Sequence, residues 1–176
     1  MKYSIYLFIL IFSMACQEKQ SITKGEYFFD FDHIDYYRSE IKEEYLLGDL
    51  REKLPKEEFE KYYSVYSKDY PKNLEDEQLE TTLTQLEFKK IELDKKVYQD
   101  INEIYREQDS DYSEESPCIP LYRDILIFRK NNSVVGISKL CFDCGKFLTI
   151  GTDADMTNFG LNGNFIKLEK LLYRYK

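Results

Sequence analysis

Tryptophan is absent from the chain, and histidine occurs once, at His33. With a single imidazole, catalysis by a Ser-His or Cys-His pair would have to rest on His33 alone. No GxSxG, HExxH or phosphate-binding GxxxxGK[ST] pattern occurs either. Bases are in the minority, 25 Lys and Arg against 33 Asp and Glu. Binding of a nucleic-acid backbone needs a basic face, so that class of partner is excluded. No apolar run approaches the roughly 20 residues needed to cross a membrane. A closed zinc site needs four ligands, and the chain beyond its first segment offers only Cys118, Cys141 and Cys144, with His33 far away in sequence.

What is present begins with an address. MKYSIYLFILIFSMAC opens on Lys2, runs apolar from Ile5 to Phe12 and passes through Ser13, Met14 and Ala15 to Cys16. Residues 1–15 have the proportions of a signal peptide. Ala15-Cys16 resembles a bacterial lipobox, with Ser13 departing from the usual Leu three positions before the cysteine. That resemblance makes Cys16 the lipidated first residue of the mature chain, joined to the membrane through its acyl groups. Gln17, where an inner-membrane retention signal would place Asp, favours the outer membrane. Polar residues 16–25 read as a tether, and residues 26–176 as a single domain. Losing residues 1–15 removes Lys2 and no acid, which leaves 24 bases against 33 acids and a net charge of −9. That charge suits a basic protein partner.

Sixteen Tyr and twelve Phe replace the missing Trp as bulky core formers. Residues 26–37, EYFFDFDHIDYY, alternate in part and predict a strand. Asp30 and Asp32 then share one face while His33 and Asp35 share the other, which separates four potential metal ligands. Residues 39–54 predict a helix interrupted at Gly48. Pro55, Glu57 and Glu58 open a clearer helix with Phe59, Tyr62, Tyr63 and Tyr66 on one stripe, either a buried face or the wall of an aromatic groove. Asn73 caps a short helix through Leu79 and Leu83, residues 84–93 alternate weakly as a strand, and Asp94 caps a helix over 95–107. Acidic residues 108–117 form a loop. Asp153 and Asp155 mimic a calcium loop but lack its glycine and its closing glutamate. Asn164 caps a last helix carrying Phe165, Leu168, Leu172 and Tyr175.

The strongest local pattern is a hairpin. Residues 121–129, LYRDILIFR, and 133–142, SVVGISKLCF, flank Asn131-Asn132, and asparagine tolerates the left-handed backbone of a tight turn. Four consecutive apolar residues, Ile125 to Phe128, suit a strand covered on both faces. Gly136 suggests a bulge, and KFLTI at 146–150 a further strand. The expected fold is α+β, an antiparallel sheet centred on the 121–142 hairpin and covered by amphipathic helices. Carrying the pairing back from Lys130 opposite Ser133 sets Cys118 opposite Gly145, beside Cys144. A one-residue register change, or a bulge near Pro117 or Pro120, would bring Cys118 and Cys144 face to face. An exported thiol tends to pair, so Cys118–Cys144 is the preferred disulfide, with Cys118–Cys141 second. A thiol-disulfide redox module using Cys141 and Cys144 is the alternative, opposed by the lack of a following helix and by Asp143.

The order YRDILIF, KLCFDC, IGT, NFG and KLEKLL across residues 118–172, with weaker echoes in FDHIDYY, resembles a family of small uncharacterised lipoproteins from flavobacterial-type Gram-negative bacteria. The resemblance implies a cell-envelope location and marks Cys118, Cys141 and Cys144 as shared framework positions. It implies no catalytic residue and no cofactor. The expectation is therefore a lipid-anchored envelope protein that acts by binding, for instance an immunity-type protein that meets a basic toxin.

Overall fold

The computed structural model describes residues 25–110 and 117–175. The expected signal peptide, Cys16 and the expected tether up to Lys24 lie outside the described residues. The fold is α+β, built on one five-stranded antiparallel sheet. In chain order come β1 (His33–Arg38), a π-helical turn (Tyr45–Leu50) running into α1 (Arg51–Lys53), α2 (Lys56–Ser67), α3 (Leu79–Gln85), β2 (Lys89–Ile91), a 3-10 turn (Lys95–Val97) leading into α4 (Tyr98–Ile104), β3 (Asp124–Lys130), β4 (Ser133–Cys141), β5 (Lys146–Ile150) and α5 (Asn164–Leu172). The spatial order is β2-β1-β3-β4-β5, so the hairpin strands β3 and β4 lie inside the sheet.

β3 explains why both faces are covered. Ile125, Leu126, Ile127 and Phe128 are all fully buried. Because side chains alternate along a strand, Leu126 and Phe128 enter one core with Phe28, Phe29, Tyr105 and the α5 leucines, while Ile125 and Ile127 enter another with Leu46, Tyr66 and Leu83. Each such side chain stabilises the fold by roughly 1.5–3 kcal/mol through burial.

Asn131 and Asn132 take φ of 49° and 68°, the left-handed pair that a primed two-residue hairpin turn requires. The register shifts between Phe128 and Arg129, where Phe128 pairs with Gly136 and Arg129 with Val134, leaving Val135 as the extra residue of a bulge. Gly136 has a second reason to be glycine. A Cβ there would lie 2.2 Å from the Phe29 ring. Gly136→Ala is expected to cost about 1–3 kcal/mol of stability in urea unfolding, because the fixed ring stack of Phe29 on Phe128 blocks a simple shift.

Several boundaries differ from expectation. The first strand starts at His33 rather than residue 26. Tyr27 instead bridges Arg106, and the Phe28 N–H donates to the Tyr105 carbonyl at 2.9 Å, so this stretch is held by the end of α4. Asn73 caps nothing. α3 begins after Gln78, without a side-chain cap, and continues through Gln85 into the stretch read as strand. Asp94 does cap, accepting from the Lys96 N–H at 3.0 Å. Asn164 does not. Gly163, at φ 76°, holds the cap position of α5, and the Asn164 amide donates to the Gln108 side chain. β3 starts only at Asp124, because the preceding residues leave the sheet to bond α2 through Tyr122 N–H to the Tyr66 carbonyl at 2.7 Å.

Candidate ligand-binding cavity

Tyr66 stands on α2 with its hydroxyl buried against the end of β1. It donates to the Leu86 carbonyl at 2.9 Å, so the Ser39 hydroxyl, 2.8 Å away, donates to Tyr66 and in turn accepts the Ile41 N–H at 3.2 Å. This chain ties together the end of β1, the last turn of α2 and the link between α3 and β2. Burial pushes the Tyr66 phenol up to about 12, so it stays a neutral donor at physiological pH.

Above that chain opens a cavity of about 880 Å3, within the range of small-molecule sites. Tyr45, Leu50, Tyr62, Tyr66 and Phe88 give it an aromatic and apolar lining, and Glu40, Lys42, Glu87 and Lys89 stand around it. No ion pair among the described residues uses those four charges. Tyr45 is 48% exposed, a large ring left open to solvent at the cavity. Glu87 lines it with φ of 61°, a left-handed conformation that costs a non-glycine residue about 1 kcal/mol or more. The Tyr62–Tyr66 part of the α2 stripe therefore serves both readings made of it: Tyr66 is core, and Tyr62 is cavity wall.

Two buried polar groups elsewhere fix the frame. Asp35 is buried beside Lys90 at 2.7 Å and the Arg129 Nε at 2.6 Å. Burial acts to raise its carboxyl, but these two cations outweigh it and hold Asp35 below the usual range. Arg129 continues to Glu80, which accepts the Tyr37 hydroxyl at 2.6 Å. Asp124 accepts the Tyr36 hydroxyl at 2.5 Å, and here burial prevails and raises the carboxyl. The four potential metal ligands do not converge on one point. Asp30 pairs with Lys130 at 2.8 Å, Asp32 accepts the Asn131 N–H at 2.9 Å, and His33 meets Asp35 at 3.2 Å. Among the described residues no group of three or more His, Cys, Asp or Glu could hold a metal ion.

Cys118 and Cys144 are joined, with Cα atoms 5.7 Å apart, and Cys141 is a buried thiol whose sulfur accepts the Leu121 N–H at 3.3 Å. The bulge shifts the register in the sense that carries Cys118 away from Cys144. The two meet because residues 118–122 lie outside the strand pairing. Cys141 and Cys144, the suggested redox couple, are not bonded to each other, and Cys141 is 2% exposed. His33 pairs with Arg129 at the turn end of β3, whereas Cys141 follows Leu140 at the opposite end, so the chain does not assemble a Cys–His zinc set. No family model, curated protein or solved structure matches the chain.

Sequence reasoning missed the most unusual side chain. Lys139 is fully buried, and its ammonium donates to the carbonyls of Lys68 at 2.7 Å and Tyr70 at 2.8 Å, with Ser64 at 3.4 Å, while sitting 4.7 Å from the Tyr122 ring centre. Its trace in the sequence is a lone cation on the apolar side of β4, two residues after Ile137. Among the described residues no helix is long and apolar enough to span a membrane.

Proposed function

We infer that the protein is a lipid-anchored component of the cell envelope, held at the outer membrane through Cys16, and that its task is binding rather than catalysis. The observation that carries the binding reading is the tyrosine-lined cavity of about 880 Å3 beside β1 and α2, ringed by Glu40, Lys42, Glu87 and Lys89, which enter no ion pair among the described residues. The anchor rests on residues 1–16 and on the family resemblance of residues 118–172. An aromatic wall with scattered polar groups suits a ligand with a flat or apolar body and a polar end.

Protein purified gently from envelope membranes is expected to release a small molecule on denaturation, detected by mass spectrometry. Tyr45→Ala with Tyr62→Ala, one exposed and one half-buried position, is expected to reduce the amount bound by about tenfold, since each lost ring contact is worth on the order of 0.5–1.5 kcal/mol. Equal ligand content in both proteins would sink the cavity reading. The anchor is tested separately. Cys16→Ala is expected to abolish palmitate labelling and membrane fractionation, and labelling that persists would refute it.

A further inference from the structure

Gly25 is the first described residue, and its neighbours fix the place from which the stretch carrying Cys16 departs. Its carbonyl accepts the Arg106 Nη2 at 2.7 Å. Arg106 Nη1 lies 3.2 Å from Glu103, and the Tyr27 hydroxyl donates to Glu103 at 2.6 Å. Cys16 stands nine positions before Gly25, a stretch that spans at most about 30 Å when fully extended. A lipid on Cys16 keeps this end of the domain within that reach of a bilayer.

Glu103 also lines a groove of about 380 Å3 between α4 and α5. From α5 and the turn after it come Lys167, Lys170 and Arg174, three cations on one helical stripe. All three are exposed, and among the described residues none of them enters an ion pair; Lys167 reaches only the Asn164 side chain, at 3.3 Å. Of the two acids at the groove, Glu103 is occupied by Arg106 and Tyr27, which leaves Asp100 against three cations. Ile166, beside Lys167 and one turn before Lys170, is 56% exposed. Cations in a stripe next to an open apolar side chain suit a helix that lies at a bilayer surface. On the other side of Gly25 the charge reverses, with Glu107, Asp109 and Asp155 standing together. An anionic surface attracts one flank and repels the other, so it sets an orientation as well as a contact.

We propose that the stripe of Lys167, Lys170 and Arg174 rests on the anionic phospholipid headgroups of the membrane that holds the protein, a contact that rests on the Cys16 anchor inferred above. The ammonium and guanidinium groups meet headgroup phosphates, Ile166 enters the interface, and Glu107, Asp109 and Asp155 turn away from it. The chain as a whole is acidic, so only this flank can approach an anionic leaflet. The anchor turns headgroup contact into an intramolecular step, so three charges screened by salt suffice where an untethered domain would stay in solution.

The test uses the protein purified from envelope membranes and placed in lipid nanodiscs, of phosphatidylcholine alone or of phosphatidylcholine mixed with phosphatidylglycerol. Lysines are acetylated briefly with a water-soluble reagent and quantified by mass spectrometry. Lys167 and Lys170 are expected to react about tenfold more slowly in the anionic discs than in the neutral ones, and to recover their rate in high salt. Lys56, exposed at the start of α2, is expected to change less than about twofold. Lys167→Gln with Arg174→Gln is expected to bring Lys170 in anionic discs to within about twofold of its rate in neutral ones. A merely structural role for these side chains would leave the lipid dependence of Lys170 unchanged. Equal rates for Lys167 and Lys170 in the two kinds of disc, or equal slowing of Lys56, would overturn the proposal and leave the anchor standing. Protein that enters neither disc would refute the anchor and the proposal together.

Discussion

Lys139→Ala is expected to destabilise the protein by about 2–4 kcal/mol, measured by urea unfolding. Three effects set that size. The helix-end carbonyls of Ser64, Lys68 and Tyr70 lose their shared donor, and a buried acceptor left unpaired costs about 1–3 kcal/mol. The Lys139 stem is fully buried, so the three methylenes beyond Cβ leave a cavity where each removed group is worth about 0.8 kcal/mol. Against these stands the relief of no longer desolvating an ammonium, which keeps the net below the gross sum. Lys139→Met fills the volume and removes the charge, and it is expected to lose less than half as much. A Met variant as unstable as the Ala variant would place the effect in the carbonyl bonds rather than in packing.

The same lysine gives stability a pH signature. Burial lowers its folded-state pKa to about 7, against an ordinary value near 10.5. Between those two values the unfolded chain binds more protons than the folded one, so stability rises as pH rises through that window, by on the order of a few kcal/mol. The buried tyrosines act in the opposite sense at higher pH. Tyr66 and Tyr173 are raised to about 12, chiefly by burial, so above about 10 the unfolded chain loses phenol protons that the folded chain retains. Stability is therefore expected to climb from pH 7 towards 10 and then fall. In Lys139→Met the rise is expected to vanish and the fall to remain. A wild-type profile flat from pH 7 to 10 would contradict the burial of a titrating lysine.

Reduction of Cys118–Cys144, or replacement of both residues by serine, is expected to cost about 3 kcal/mol. The bond joins positions 26 apart, and closing a loop of that size removes unfolded-state entropy of about that free energy. It lies beyond the paired part of β3 and β4, so the sheet is expected to survive and unfolding to stay cooperative. Cys141→Ala is expected to cost only about 1 kcal/mol, as a small buried deletion, and its effect is expected not to depend on reductant. Thiol titration in denaturant discriminates directly. Cys141 reacts without reductant, and Cys118 and Cys144 only with it; three reactive mature thiols before reduction would remove the staple from the fold.

The hairpin was legible because its information is local. Asn131-Asn132 carries the backbone preference for the turn, and four consecutive apolar residues carry the demand for two covered faces. The aromatic stripe of α2 was legible for the same reason, as a periodicity. Asp94 announced its cap because an aspartate two residues before a helical pattern has one common use. Asn73 and Asn164 sent the same message wrongly, since a neighbouring turn at Gln78 and a left-handed Gly163 decided those helix starts. Pattern also misled at residues 26–31, where the alternation of a strand belongs to a chain held against α4 by Tyr105 and Arg106.

The sequence by itself determined the α+β class, the central hairpin, an acidic surface and the expectation of an exported, lipid-anchored chain. These depend on composition, on side-chain period and on turn preference, all of which act between near neighbours. Only the tertiary structure decided that Lys139 closes the end of α2, and that Ser39, Tyr66 and Leu86 form one chain beneath a cavity. It also decided where Cys118 travels to reach Cys144. Each of these joins residues far apart in the chain, and their meeting is set by how helices settle on a twisted sheet rather than by any spacing between them.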